Sequence, residues 1–225
     1  TGVGWHRYQF ASETTYVDLG LTAVRAALAD AGIEWTDIES AYVAKALLPM
    51  APGRRMLRHL GATGIPILHV ENASASGSAA FGQACMEVAA GIRDVALVVG
   101  VDKPGPWGSS AAMAGIPSLA DDAIAPFTHF AMLADRYTQR WHLDFADVAR
   151  VAVKNHRNAS LNPHAQHQKV RTLEEILGGR AIAGGFTSLQ CTPVGEGAAA
   201  AVVASEAAIR ACLLYTSPSP RDLAR

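Results

Sequence analysis

Between Tyr16 and Ala31 the apolar positions Val17, Leu21, Val24, Leu28 and Ala31 recur every three or four residues, a spacing that predicts a helix. Thr15 stands where a cap would open it and Gly32 where the chain would leave it. Elsewhere the apolar positions form short runs of strand length. Ser40–Leu47, Ile67–Glu71 and the unbroken run Val95–Val101 predict strands, the last one buried on both faces. Thr1–Gly4 reads as the end of a first strand, and Gly197–Ser205 as a returning one. Helical spacing comes back in Arg54–Leu60, Ala75–Ala90, Phe127–Arg140, Asp144–His156 (with Asp144 as cap), Leu173–Leu177 and from Ala207 to Ala211. Strands alternating with helices across short connections predict an α/β domain with a parallel or mixed sheet.

The stretch Ala75–Ala90 carries one charge, Glu87, and otherwise holds Ala, Ser, Gly, Phe, Gln, Cys, Met and Val. A helix with no polar face is expected to be covered nearly all round, here as a central helix between layers. Lys103–Pro126 is punctuated by Pro and Gly without a period, the texture of a lid or a disordered segment. From Cys212 onward two prolines break a segment with no periodicity, which looks like translated adapter read-through. Residues 212–225 are therefore set aside from the fold as a non-native tail.

Composition narrows the function classes. The 225 residues are 50% hydrophobic and 17% charged with a net charge of −1, so no basic footprint for nucleic acid is expected. The longest apolar runs, Val95–Val101 and Ala198–Ala204, fall far short of the roughly 20 residues of a membrane span. Cys85, Cys191 and Cys212 have neither metal-type nor disulfide-framework spacing, which fits a reduced, cytoplasmic setting.

The candidate chemistry lies in Val70-Glu-Asn-Ala-Ser-Ala-Ser-Gly-Ser-Ala-Ala-Phe81, a strand end, a turn and the start of the apolar helix. Ser74 falls at the helix N-terminus, where free backbone N–H groups and the positive dipole end favour negative charge. It is either a plain helix cap or the reacting hydroxyl. A serine-hydrolase elbow needs Gly-x-Ser-x-Gly, and neither Ser74 nor Ser76 has the flanking glycines. Gly2-Val-Gly4 lacks the third glycine of a dinucleotide fingerprint, so a nicotinamide cofactor is not expected. His156, His164 and His167 sit among Asn, Gln and Pro, a polar loop rather than a metal site. His69 reads as a satisfied strand residue and Cys85 as a small helix hydrophobe.

Val70-Glu-Asn-Ala-Ser-Ala-Ser-Gly resembles the nucleophile loop of thiolases, Val-Glu-Asn-Ala-Cys-Ala-Ser-Gly, most of all the sterol-carrier-protein or lipid-transfer type. Leu60-Gly-Ala-Thr-Gly-Ile-Pro66, Ala96-Leu-Val-Val-Gly-Val-Asp-Lys103, the segment Val153–Gln166 and Gly195-Glu-Gly-Ala-Ala-Ala-Ala-Val-Val203 match later family segments in order. The resemblance covers about residues 1–211 and implies a thiolase-like βαβαβαββ half with a mixed sheet, a central buried helix and an inserted loop domain. Its N-terminal α/β domain would comprise 1–102 and 186–211. The loop domain, 103–185, would cover the CoA substrate, and a second thiolase half, bearing the histidine base and part of the oxyanion hole, would lie outside the chain.

The family's nucleophilic cysteine corresponds to Ser74 here. A thiol becomes a thiolate readily at a helix N-terminus, whereas a hydroxyl needs a well-placed base. An oxygen ester also lies below a thioester and resists return to CoA. Two enzymatic readings follow: acyl-CoA carbon–carbon bond chemistry through an acylated Ser74, or an aldolase-type site that stabilises an enolate with no covalent intermediate. The third is a non-catalytic subunit that binds acyl-CoA or a partner chain. No cofactor beyond the CoA thioester substrate and no metal are implied. A homodimer or thiolase-like heterodimer is expected, with a small OB-fold protein as a further partner.

Overall fold

The computed structural model describes residues 2–104 and 126–212. In chain order its elements are strand β1 (Gly2–Gln9), helix α1 (Tyr16–Ala31), β2 (Ser40–Ala44), α2 (Pro52–Leu57), β3 (Ile67–Val70), α3 (Ser76–Ala89), β4 (Val95–Asp102), α4 (Pro126–Trp141), α5 (Phe145–Ser160), α6 (Leu173–Leu177), β5 (Ala181–Ala183), β6 (Phe186–Thr187), β7 (Glu196–Ala204) and α7 (Glu206–Cys212). They divide into two compact units, residues 1–106 with 196–225, and residues 107–195.

The first unit is built on one five-stranded mixed sheet in the order β1-β7-β4-β2-β3. β2 runs parallel to β3 and β4, with Ala41 opposite both Ile67 and Leu97. β7 is antiparallel to β1 and β4, placing Ala200 opposite Gly4 and Val99. The apolar run of β4 is explained by its position third of five. Val95, Leu97, Val99 and Val101 join the core beneath α1, while Ala96 and Val98 join a smaller core beneath α3.

Helix α1 begins where the spacing predicts. The Thr15 hydroxyl accepts the Asp18 N–H at 3.1 Å, and Gly32 at φ 70° turns the chain out at its end. Its buried stripe includes Leu19, Ala23, Val24, Ala27 and Ala31, and β1 lies directly on the small residues of that stripe. A Cβ built on Gly4 would stand 2.3 Å from both Ala23 O and Ala27 N. Those are backbone atoms, which no rotamer change can move. Gly4→Ala is therefore expected to cost about 3 kcal/mol, checked by urea unfolding; a change below about 1 kcal/mol would mean that β1 lifts freely off α1.

Helix α3 corrects one expectation. Within this chain only Ser76, Ala80 and Ala84 are buried, against β2 and β4, while Phe81 and Met86 are 46% and 66% exposed. The described chain supplies one layer for this helix, not two, so its lack of a polar face is not answered from within. β1 is also longer than Thr1–Gly4, β2 stops at Ala44 rather than Leu47, and α2 starts at Pro52 and ends in a 3-10 turn over 58–60.

The second unit holds α4, α5, α6 and a two-stranded antiparallel ladder of β5 and β6 that the apolar pattern did not announce. The Asp144 carboxylate accepts the Ala146 N–H at 2.9 Å to cap α5, and Thr172 with Glu175 forms a capping box on α6. Ile176 is fully buried, and the Thr187 hydroxyl donates to its carbonyl at 2.5 Å, tying β6 to α6. Most of the Pro/Gly-rich stretch read as a lid (residues 105–125) and the tail from 213 lie outside the described residues.

Candidate active site

The chain leaves β3 at Val70 and enters α3 at Ser76 through five residues, Glu71–Ala75. The Ala75 N–H donates to Asn72 O at 2.9 Å, and the Ser76 N–H to Ala73 O at 3.2 Å. Ala73 occupies the left-handed region at φ 46°, a conformation that costs a residue with a Cβ on the order of 1 kcal/mol. The Ala73 N–H reaches the Glu71 carboxylate at 2.6 Å, so the turn is held from its own sequence.

Ser74 is not the helix cap, which removes one of the two readings given to it. The N-cap residue is Ala75, which has no side chain able to accept. Ser76 does the local work: its hydroxyl accepts the Asn72 N–H at 2.8 Å and donates to Ala73 O at 2.7 Å. Ser74 is exposed, and its hydroxyl makes no hydrogen bond among the described residues.

What Ser74 does line is a cleft of about 250 Å³ with Lys45, Ala46, Ser76, Gly77, Gly100 and Asp102. It opens at the carboxyl ends of β2 and β4, where the loops of a parallel sheet diverge and α/β proteins bind their ligands. Gly77 and Ser78 stand in the first turn of α3, and their amides have no intrahelical acceptor. The cleft therefore combines a hydroxyl, the first-turn amide of Gly77 at a positive dipole end and Lys45, a set that favours a developing oxyanion. Among the described residues no histidine lines it.

Lys45 and Asp102 were not singled out from the sequence. Each follows or ends an apolar strand run, and a polar residue at that point is the signal that could have found it. Asp102 is a brace rather than a free base. Its carboxylate accepts the N–H groups of Ala46 at 2.9 Å and Leu47 at 3.0 Å, shaping the β2 side of the cleft.

Next to Asp102, the Lys103 ammonium meets the fully buried Glu196 carboxylate at 2.5 Å. Ser12 Oγ and Gln9 Nε2 donate to the same carboxylate at 2.5 and 2.9 Å. Burial pushes the Glu196 pKa up, but the hydrogen bonds from Lys103, Ser12 and Gln9 overcome it and bring it down to about 2. The pair fastens the end of β4 to the start of β7 and to the loop after β1.

The histidines stand apart from the cleft. His69, on β3, accepts the Gly53 N–H through Nε2 at 2.9 Å, as a satisfied strand residue should. Burial, then the charges of Lys45 and Arg54, hold its pKa below the usual value. His156 is not in a polar loop: it is buried on α5, where Nε2 meets Leu189 O at 3.0 Å, and its ring lies 5.2 Å from that of His167. Cys85 is half-buried on α3. Among the described residues no three His, Cys, Asp or Glu side chains converge as a metal site, and no helix is long and apolar enough to cross a membrane.

The sequence profile of the thiolase N-terminal domain matches residues 3–176, which takes in β1 to β4, the Ser74 turn and α3. The chain belongs to the thiolase family. It is 34% identical over 221 residues to sterol carrier protein 2 of Gallus gallus, covering 91% of this chain and 40% of that protein. It is 36% identical over 198 residues to the acetyl-CoA acetyltransferase of Methanocaldococcus jannaschii, covering 83% of this chain and 49% of the archaeal one. Among solved structures, the Ltp2-ChsH2(DUF35) aldolase superposes with a TM-score of 0.75 at 28% identity, covering 93% of this chain and 56% of that one. The chain thus spans about half or less of the length of the curated thiolase relatives it matches, and the mixed α/β sheet described above is the thiolase fold.

Proposed function

We propose that this chain forms the N-terminal catalytic portion of a thiolase-family enzyme that makes or breaks a carbon–carbon bond in an acyl-CoA, with Ser74 at the nucleophile position. The observation that carries this is the placement of Ser74 on a turn at the mouth of a cleft, beside the free first-turn amides of α3 and Lys45. The second unit, expected from the sequence as 103–185 and spanning 107–195 in the structure, acts as the loop domain, and a second half of the same fold supplies the base. That half would also cover Phe81 and Met86 on α3, which this chain leaves exposed.

Of the two enzymatic versions, the unbonded Ser74 hydroxyl favours the one without a covalent intermediate. A serine becomes nucleophilic only with a base in hydrogen-bond reach, and among the described residues none is. An enolate also needs a base for its proton, which the second half would supply, but its charge would be met from this chain by the Gly77 amide and Lys45 with no bond to Ser74. The aldolase relative described above is consistent with that version, and the acetyltransferase relative with the acyl-serine version. A protein partner, as a thiolase-like second subunit or an OB-fold protein, belongs to the same proposal.

Ser74→Ala in the complete protein tests it, with kcat/KM measured on acyl-CoA substrates. Retention within about tenfold is the expected result and assigns enolate stabilisation; a loss beyond about a thousandfold assigns the acyl-serine route. Failure of the unaltered protein to bind any CoA thioester would reject both and leave only the non-catalytic subunit that binds a partner chain.

A further inference from the structure

A second pocket, of about 430 Å³, lies between α2 and the loop 61–65 that leads into β3. Among the described residues it shares no lining residue with the Ser74 cleft. Three arginines, Arg54, Arg55 and Arg58, line it within five residues of sequence. Its apolar wall is made by Leu57, Ile65 and Ile67.

The charge here is uncompensated. Arg54, Arg55 and Arg58 have no ion-pair partner among the described residues, a condition they share with Arg157 and other arginines; what sets them apart is that all three line one cavity. Among the described residues no acidic side chain lines the pocket. The nearest acids in sequence to the lining Trp35, Glu34 and Asp37, are turned onto the backbone amides of their own 3-10 turn, where Asp37 accepts the Glu34 N–H at 2.9 Å. Two arginines in the last turn of α2 complement its dipole, but they do not account for a third beyond it or for the cavity all three face.

Guanidinium forks match the oxygens of carboxylates and phosphates in paired hydrogen bonds. Three positive charges with no carboxylate favour a dianion over a monoanion, and a phosphate monoester carries −1.5 to −2 near neutral pH, on the order of the charge offered. The apolar wall suits an organic body attached to that phosphate, and the volume lies in the usual range of small-molecule sites. We propose that this pocket binds a phosphate monoester with an apolar or aromatic body, its phosphate held by Arg54, Arg55 and Arg58 and its body against Leu57, Ile65 and Ile67.

Isothermal titration of the intact chain with phenyl phosphate, phenylacetate and inorganic phosphate tests this. Phenyl phosphate is expected to bind at least about tenfold more tightly than either of the others, because only it uses both the charge and the wall. The double variant Arg54→Gln/Arg58→Gln should weaken it roughly a hundredfold, about tenfold per lost charged hydrogen-bond donor, while Arg157→Gln on the second unit leaves it unchanged. Ala62→Trp, which fills the pocket from the exposed loop and keeps all three arginines, should remove binding as well. All four are surface substitutions, and circular dichroism melting checks that they fold. Equal binding by the double variant and the unaltered chain overturns the proposal, as does inorganic phosphate binding as tightly as phenyl phosphate. So does sedimentation showing that the arginines instead hold two copies together, with no phosphate bound.

Discussion

Ser74→Cys is expected to accelerate acyl transfer from acetyl-CoA onto position 74 by at least about a hundredfold at pH 7. An ordinary thiol is ionised to a few per cent at that pH, and a hydroxyl is not ionised to any useful extent. The first turn of α3 makes the difference larger, because the unbonded amides of Gly77 and Ser78 and the dipole end lower the pKa of a thiol placed beside them. The new thioester would also hand its acyl group back to CoA, which an oxygen ester on Ser74 resists. Intact-mass time courses of the variant and the unaltered protein measure both steps. Iodoacetamide labelling gives an independent reading: the new cysteine should react well ahead of the half-buried Cys85 and Cys191. A variant that acylates and alkylates no faster than those two cysteines would remove the electrostatic argument for the cleft.

Lys103→Met is expected to destabilise the fold by about 2 kcal/mol at pH 7. Removing one member of a buried ion pair costs roughly 3–5 kcal/mol, and the Lys103 side chain, 23% exposed, warrants the lower figure. The pH dependence carries the sharper signature. Glu196 has its pKa lowered from 4.5 to about 2 in the folded chain, so its contribution is fully present above pH 4.5 and is lost as the pH falls toward 2. At 1.36 kcal/mol per pK unit that contribution is on the order of 3 kcal/mol. Without Lys103, burial dominates and the Glu196 pKa rises, so protonation in acid relieves the variant while it weakens the parent. The stability difference between the two, from urea unfolding at pH 7 and pH 3, should therefore shrink on acidification. A difference that stays constant would show that Lys103 acts only through its packing.

Much of the first unit was legible in the sequence because its elements are each decided locally. Thr15 and Gly32 mark the ends of α1 through backbone hydrogen bonds that reach three or four residues, and the 3.6-residue period names its buried face. The run Val95–Val101 announced a strand covered on both sides, and β4 sits inside the sheet. The short ladder of β5 and β6 was missed since strands of three and two residues leave no period to detect. α3 went the other way. Its composition called for cover all round, but composition says only that a face is apolar, not whether this chain provides the neighbour.

The candidate site divides along the same line. The peptide Val70–Ser78 marked the turn that holds Ser74, since a strand end, small residues and a helix start are written in consecutive positions. Which serine does what was not written there: Ser76 ties the turn to the helix, and Ser74 has no hydrogen-bond partner for its hydroxyl among the described residues. Lys45, Asp102 and the Glu196–Lys103 pair entered only with the fold, because parallel strands bring residues 45, 74 and 102 to one edge of the sheet across long stretches of chain. By itself the sequence determined the family, the order of the elements and the turn that holds Ser74, all properties of neighbouring residues. Only the tertiary structure decided which groups share the cleft and which arginines are left without acids, because charge and hydrogen-bond partnership depend on distance in space.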